Sequence, residues 1–135
     1  MRESSKSQLR DIRQYYTAVR EGKIDSTTLL KKYALTEDFE EAVRELDSFI
    51  DLDQLTALIA WLEESLEDYK LEGFTIIRDP EFNEILSVAI YIGNCSFEEW
   101  RLIVRSIKQK LLEEGFDDLV GSLTIVCIDV FKPRE

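Results

Sequence analysis

The chain of 135 residues contains no histidine and no long hydrophobic run. Without histidine, a Ser-His-Asp or Cys-His catalytic group is impossible, and so is a histidine-ligated zinc site. No stretch of about 18 apolar residues is present, and the first residues lack the apolar core of a secretory signal, so we expect a cytoplasmic protein without membrane association. The sequence also has no phosphate-binding loop and no metal-ligand spacing, and it predicts no catalytic residue, cofactor or metal.

Cysteine, proline and glycine are scarce, with two, two and five residues respectively. Cys95 and Cys127 both stand in apolar, strand-like sequence, which is typical of small buried side chains rather than of a redox or zinc motif. A disulfide between them is left open, although a reducing compartment disfavours it. Only six Asn and Gln accompany abundant Glu, which leans toward a thermophilic source. No linker rich in Pro, Gly or Ser interrupts the chain, so we expect a single domain over residues 1–135.

Charge is distributed unevenly around a formal net charge of −11. Residues 1–32 carry +4, residues 33–99 carry −15, and residues 100–135 are balanced. An acidic middle segment suits self-association or a basic partner, and it opposes general binding to nucleic-acid phosphates. The simpler interpretation is that the acidic side chains cover the solvated faces of helices.

The first half of the chain, residues 1–70, has the hydrophobic periodicity of about four helices. The predicted helices are residues 7–21, 25–35, 36–50 with Thr36 as N-cap, and 53–70. The last is the clearest, because apolar residues recur at helical spacing from Leu55 to Tyr69. Trp61 lies outside that apolar stripe, and an indole in such a position either packs under a neighbouring segment or anchors an interface.

The second half, residues 71–135, changes to an extended pattern rich in Ile and Val. Residues 74–79 and 84–95 predict a hairpin, residues 96–115 a helix, and residues 122–131 a third strand. This is the order ββαβ, and if strands two and three are parallel neighbours, a right-handed crossover joins them. Because the third strand is apolar on both sides, the helix at 53–70 is expected to cover the sheet face opposite the crossover helix. We predict an α+β fold, with N-terminal helices packed on a small three-stranded mixed sheet.

The predicted helix at 96–115 carries three basic residues although the chain is acidic. It begins with a capping-box pattern and ends at a glycine. Its buried stripe is predicted to comprise Phe97, Trp100, Ile103, Val104, Ile107 and Leu111. Arg101, Arg105 and Lys108 fall within an arc of about 60° beside that stripe. They either bind acidic side chains, in this chain or on a second copy, or form an anion-binding ridge.

Asp129 lies inside an otherwise apolar strand sequence, where an unpaired buried carboxylate would be costly. Arg78, near the end of the first predicted strand, is its candidate counter-ion if the two strands approach each other. Alternatively, the strand reaches the edge of the domain there and Asp129 is solvated. A third interpretation makes Asp129 a catalytic or metal-binding carboxylate, together with Asp79, Glu81 or Glu84 of the hairpin connection.

These patterns predict a protein that works by association with itself or another protein, as a homo-oligomer or an accessory subunit. The contacts would be made by Trp61, the acidic helices and the basic residues of the helix at 96–115. One alternative is a small-molecule or divalent-metal-dependent enzyme that uses carboxylates near the sheet edge. A second alternative is weak nucleic-acid binding through the basic N-terminal helix, with Arg10, Arg13 and Arg20.

Overall fold

The chain folds as an α+β protein in which helices precede a three-stranded mixed sheet. The structure is a computed structural model that describes residues 11–35, 38–66 and 68–131. The helices are α1 (Ile12–Arg20), α2 (Ser26–Tyr33), α3 (Phe39–Phe49), α4 (Leu52–Ser65), α5 (Phe97–Glu113), α6 (Asp117–Val120) and α7 (Ile128–Phe131). The strands are β1 (Lys70–Arg78), β2 (Ile85–Gly93) and β3 (Leu123–Cys127). None of these helices combines the length and the apolar character that crossing a membrane requires.

Aspartate residues are the N-caps of three of the N-terminal helices. Asp25, Asp38 and Asp51 stand at the N-caps of α2, α3 and α4, and each carboxylate accepts hydrogen bonds from first-turn N–H groups. The donors include the N–H groups of Thr27, Glu41 and Asp53, at 3.1, 3.2 and 2.9 Å. The predicted N-cap Thr36 lies outside the described residues, and α3 begins with Asp38 as its cap.

Helix α4 ends at Ser65, earlier than the predicted end at residue 70. The chain leaves the helix there because Lys70 already pairs with Gly93 of β2 and so belongs to β1. Gly73 therefore lies inside a strand instead of separating helix from strand. Its φ is +149°, and a Cβ atom at that position would come within 2.5 Å of the carbonyl oxygen of Tyr33. Glycine allows the end of α2 to pass closely along the outer edge of β1.

The second half of the chain departs from the predicted order of elements. The connection from β2 to β3 contains the short helix α6 in addition to α5. The predicted third strand is also too long, because the ladder between β2 and β3 ends at the pair Ile92 and Cys127. Since β2 itself ends at Gly93, the following residues have no strand to pair with, and they form α7. Asp129 accordingly lies in a helix rather than in a strand.

The sheet has β2 at its centre, antiparallel to β1 and parallel to β3. The register places two sets of side chains on opposite faces. The inner face carries Phe74, Val88, Ile90, Ile92, Leu123, Ile125 and Cys127, all of which belong to the hydrophobic core. The outer face carries Thr75, Ile77, Ser87, Ala89, Tyr91, Thr124 and Val126, and of these only the small Ala89 is fully buried.

The helices α4 and α5 pack on the inner face of the sheet. Helix α4 shares the core with Ile107 and Leu111 of α5, so both helices lie on the same side of the sheet. Helices α1 and α2 also contact α4, and the α4 residues from Leu55 to Ala60 are all buried. The prediction that α4 covers the face opposite α5 is therefore wrong. Helix α4 packs on the same sheet face as α5, and α1 and α2 bury the rest of its apolar surface.

Helices α1 and α5 are joined by a buried carboxylate. The Glu114 side chain is only 4% exposed and accepts hydrogen bonds from the N–H groups of Ile12, at 3.1 Å, and Arg13, at 2.7 Å. The Nζ atom of Lys110 lies 3.3 Å from Glu114 and 2.9 Å from Asp11. The hydrogen bond to Asp11 raises the pKa of Lys110 and lowers the pKa of the Asp11 carboxyl. These contacts fix the start of α1 against the end of α5.

Candidate interaction surface

Helix α5 is fixed at both ends by local hydrogen bonds and backbone geometry. The Ser96 hydroxyl oxygen accepts the Glu99 N–H at 3.2 Å, and the Glu99 carboxylate accepts the Ser96 N–H at 2.8 Å. These two contacts form a capping box, and hydrogen bonds from Ser96 to the carboxylate lower the pKa of Glu99. Gly115 follows the end of the helix with φ of +89°, a conformation that suits glycine.

One side of α5 faces the core. Ile107 and Leu111 are buried, and the indole N–H of Trp100 donates a 2.9 Å hydrogen bond to the carbonyl oxygen of Ile125 in β3. Phe97 does not share this environment, because its side chain is 48% exposed. Its assignment to the buried stripe is therefore wrong. Phe97 is the first residue of the helix and borders the basic residues, so its ring lies at the edge of the packed surface.

The basic ridge, defined as Arg101, Arg105 and Lys108, runs along an outer side of α5. Their spacing of four and three residues places them on one side of the helix. Arg101 lies 4.0 Å from a carboxylate oxygen of Glu98, and its guanidinium group is 6.0 Å from the ring centroid of Phe97. Arg105 and Lys108 form no ion pair with any residue that the structure describes. Most of the ridge is thus not neutralised by the described acidic side chains of its own chain.

Exposed apolar side chains stand at both ends of the basic ridge. Phe97 precedes Arg101 by one turn, and Leu112, which is 54% exposed, follows Lys108 by one turn. Exposed aromatic residues and arginine are enriched at protein-binding surfaces. This side of α5 therefore offers both kinds of contact to a partner.

Trp61 lies on the other flank of α5, in a groove between α4 and α5. The groove has a volume of about 560 Å³. It is lined by Trp61, Leu62, Ser65, Leu66, Tyr69, Glu99, Leu102, Ile103, Ser106 and Ile107. Trp61 is half-buried against the core, whereas Leu102 at the rim is 61% exposed. The structure therefore does not bring Trp61 and the basic ridge together, and they belong to two separate surfaces.

Few polar groups line the groove. The Tyr69 hydroxyl donates a 3.4 Å hydrogen bond to the Glu99 carboxylate. Burial and the nearby negative charge of Glu99 raise the pKa of Tyr69. The hydroxyl oxygen of Ser65 is buried and has no hydrogen-bond partner among the described residues. Apart from Ser106, the rest of the lining is mainly apolar, so the groove is suited to contacts with apolar side chains.

Arg78 is bound by α3. Its guanidinium group makes two contacts with the Glu45 carboxylate, one of them 3.1 Å long, between Nη1 and Oε2, and it also donates to the carbonyl oxygen of Asn83 at 3.3 Å. The hydrogen-bonded pair lowers the pKa of Glu45 and raises the pKa of Arg78. Arg78 therefore links α3 to the β1–β2 hairpin, and its positive charge is paired with the carboxylate of Glu45.

Asp129 and Arg78 lie at opposite ends of the sheet. The Asp129 carboxylate accepts a hydrogen bond from the N–H of Asn94, which follows β2 directly. This end of β2 pairs with the Lys70 end of β1. Arg78 ends the same nine-residue strand, about 25 Å away at about 3.3 Å per residue. The predicted Asp129–Arg78 pair is therefore wrong, because the antiparallel register separates the two residues. The carboxylate of Asp79 caps its own turn through the N–H of Glu81, at 2.7 Å.

The predicted metal and nucleic-acid sites involve carboxylates near the sheet edge and basic residues of the N-terminal helix. Within residues 11–35, 38–66 and 68–131, no group of three or more Cys, Asp or Glu side chains is placed to hold a metal ion. Of the basic residues predicted to contact nucleic acid, Arg13 lies 3.7 Å from Glu114 and Arg20 lies 3.8 Å from Asp53. Arg10 lies outside the described residues. The charges of Arg13 and Arg20 are thus paired within the chain.

The two cysteines are neighbours in the core. Their Sγ atoms are 2.7 Å apart, and both side chains are buried as free thiols. Cys127 pairs with Ile92 in the sheet, and Cys95 lies in the turn that follows β2. No signal in the sequence predicts this contact, because it depends on the register between β2 and β3.

Comparison of the chain with protein-family models, with curated proteins and with solved structures finds no match.

Proposed function

We propose that the protein works by self-association, with the basic ridge of one copy bound to an acidic helix surface of a second copy. One observation carries this proposal: Arg105 and Lys108 have no ion-pair partner among the described residues, in a chain with 28 Asp and Glu. Basic side chains without partners beside so many carboxylates favour a partner outside the chain.

Helix α3 offers a surface of complementary charge. Its exposed side chains include Glu40, Glu41 and Asp47, and its basic residue is Arg44 alone. Contacts between this surface and the basic ridge would be attractive within the Debye length of about 8 Å, and charges farther apart on the two copies are largely screened. The exposed Phe97 and Leu112 would add apolar area at the ends of the contact.

The groove between α4 and α5 is the second contact in the proposal. Trp61 forms part of its wall and Leu102 stands at its rim. Tryptophan is enriched among residues that dominate binding energy at protein interfaces, because it buries a large area at a small entropic cost. The groove contact would be apolar, and its strength should therefore not decrease as salt is added.

The molar mass of the purified chain, measured by light scattering on a sizing column at low and high salt, tests the proposal. We expect a mass of two or more chains at low salt that decreases at high salt, because ions screen the contact between the ridge and the acidic surface. A mass that is unchanged or increases with salt would assign the interface to the groove instead. A monomer at every salt concentration would overturn self-association.

Arg105→Glu tests the ridge directly. We expect this substitution to abolish the low-salt oligomer while the circular dichroism spectrum stays unchanged, since the side chain is exposed. Lys31→Glu is the matched control, because it changes the net charge equally at an exposed site on α2 that has no ion pair to a described residue. If both variants dissociate the oligomer alike, the effect comes from net charge and the ridge has no specific role.

Trp61→Ala tests the groove. Because Trp61 also packs against the core, the exposed Leu102→Ala variant is the companion that leaves the core intact. We expect both variants to raise the dissociation constant of the oligomer, and Trp61→Ala to raise it more. Oligomers of unchanged affinity in both variants would remove the groove from the interface.

A further inference from the structure

We propose that Cys95 and Cys127 form a reversible intramolecular disulfide by exchange with a low-molecular-weight disulfide. The two Sγ atoms are 2.7 Å apart, which exceeds the length of a disulfide bond by about 0.7 Å. This site is separate from the basic ridge and the groove. The inference therefore does not depend on self-association.

The surroundings of the two sulfur atoms keep them together. Cys127 is the last residue of β3 and is fully buried, and Cys95 is 6% exposed in the turn between β2 and α5. The chain contains no other cysteine, so no other thiol of the chain competes for either partner. A shift of less than 1 Å, about the size of ordinary side-chain motion, brings the sulfur atoms to bonding distance.

The reaction balances in two exchange steps. The thiolate of one cysteine attacks a sulfur atom of the small disulfide, which releases one small thiolate and leaves a mixed disulfide. The thiolate of the second cysteine then attacks the protein sulfur of the mixed disulfide and releases the second small thiolate. The two protons lost by the cysteines are taken up by the two released thiolates, which become thiols. The protein dithiol is oxidised and the small disulfide is reduced, so no further oxidant is required.

Burial makes this exchange slow in the folded, reduced chain. Burial, the hydrogen bond to Cys127 and the negative charges of Asp129 and Glu99 together raise the pKa of Cys95 to about 12. Thiolate is the reactive form, and it is scarce at neutral pH for such a thiol. The disulfide is therefore expected to form mainly during folding or local opening, and to resist reduction once it is closed.

The disulfide would join the start of α5 to the end of β3. The cross-linked loop contains α5 and α6, and the turn it fixes also carries the hydrogen bond from Asn94 to Asp129. Closing a loop of this length lowers the entropy of the unfolded chain and leaves the folded chain close to its reduced geometry. Oxidation should consequently stabilise the fold and hold the base of α5 in place.

The first experiment uses the full chain with oxidised and reduced glutathione. The expected product has lost the mass of two hydrogen atoms, resists alkylation in denaturant, and yields a peptide pair linked through Cys95 and Cys127. Dithiothreitol added in denaturant should restore both thiols. The matched control Cys95→Ala should yield only a reduced chain or a glutathione adduct. Two alkylatable thiols in the wild-type chain after equilibration, or only intermolecular disulfides, would overturn the proposal.

The second experiment needs no variant. The equilibrium constant for forming the protein disulfide against glutathione is measured in native buffer and again in concentrated urea. If the folded chain holds the two sulfur atoms in bonding geometry, the native constant should be about 100-fold larger than the constant in urea. A native constant equal to or smaller than that in urea would show that the folded geometry opposes the bond.

Discussion

Helices α4 and α5 are both long, but they bury very different proportions of their residues. Helix α4 has 14 residues, of which seven are buried, and these form an almost continuous segment. Helix α5 has 17 residues, of which only Ile107 and Leu111 are buried. Helix α4 is enclosed by the sheet, α1 and α2, whereas α5 covers the sheet with one side and leaves its other side accessible.

This difference indicates that α4 contributes mainly to the stability of the fold, whereas the outer sides of α5 are available for binding. A helix that is apolar around most of its circumference must be buried, and α4 is therefore the centre of the core. Helix α5 contributes less buried area and instead displays Phe97, Leu102 and Leu112 together with the basic ridge. Substitutions at the fully buried positions of α4 should therefore affect folding, and substitutions on the outer sides of α5 should affect binding.

The largest expected effect is that of Leu58→Ala in α4. Leu58 is fully buried, and removing its side chain should lower the free energy of unfolding by about 3 kcal/mol, because a cavity remains. Leu102→Ala in α5, at a site that is 61% exposed, should change the same quantity by no more than about 0.5 kcal/mol. Urea denaturation of the two variants measures both values. Equal losses would mean that the two helices contribute alike to the core.

An intermediate effect, which depends on pH, is expected for Glu99→Gln at the start of α5. Hydrogen bonds from Ser96 lower the pKa of Glu99 below its ordinary value of 4.5. The folded chain thus binds fewer protons at this group than the unfolded chain does, and its contribution to stability is complete above pH 4.5 and lost as pH falls through the lowered pKa. Glutamine keeps the capping geometry without the charge.

The free energy of unfolding of the wild type and of Glu99→Gln, measured across a pH series, tests whether the pKa of Glu99 is lowered. The difference in free energy of unfolding should be largest near neutral pH and should shrink in acid. A difference that grows toward low pH would contradict a lowered pKa for Glu99.

The smallest expected effect on stability is that of Arg105→Ala in the basic ridge. The side chain is exposed and has no ion pair with a described residue, so the free energy of unfolding should change by no more than about 0.5 kcal/mol. The measurement is urea denaturation at high salt, where association through the ridge is weakest. A loss above about 1 kcal/mol would reveal a contact within the chain and weaken the assignment of the ridge to a partner.

Much of the secondary structure can be predicted from local sequence. The capping box of Ser96 and Glu99 and the apolar spacing of α4 depend on neighbours within a few residues, so the sequence contains the whole signal. The end of α4 and the end of β3 could not be predicted in this way. Each depends on a pairing with β2, whose partners are far away in the chain.

The candidate site likewise has features that local sequence predicts and features that it does not. The common side of Arg101, Arg105 and Lys108 follows from helical spacing alone. The exposure of Phe97 and the separation of Trp61 from the ridge depend on how α4 and α5 lie against each other and the sheet. Helical periodicity shows which residues share one side of a helix. It does not show which neighbouring element packs against that side.

The sequence by itself determined the α+β class, the charge distribution and the alignment of the basic ridge, because each arises from composition or from spacing along one element. Only the tertiary structure decided that Arg78 binds Glu45 rather than Asp129, that the helices cover one sheet face, and that Cys95 meets Cys127. Those outcomes follow from strand register and layer order. Both are set by the simultaneous burial of residues that are distant in the chain, and no single segment contains that information.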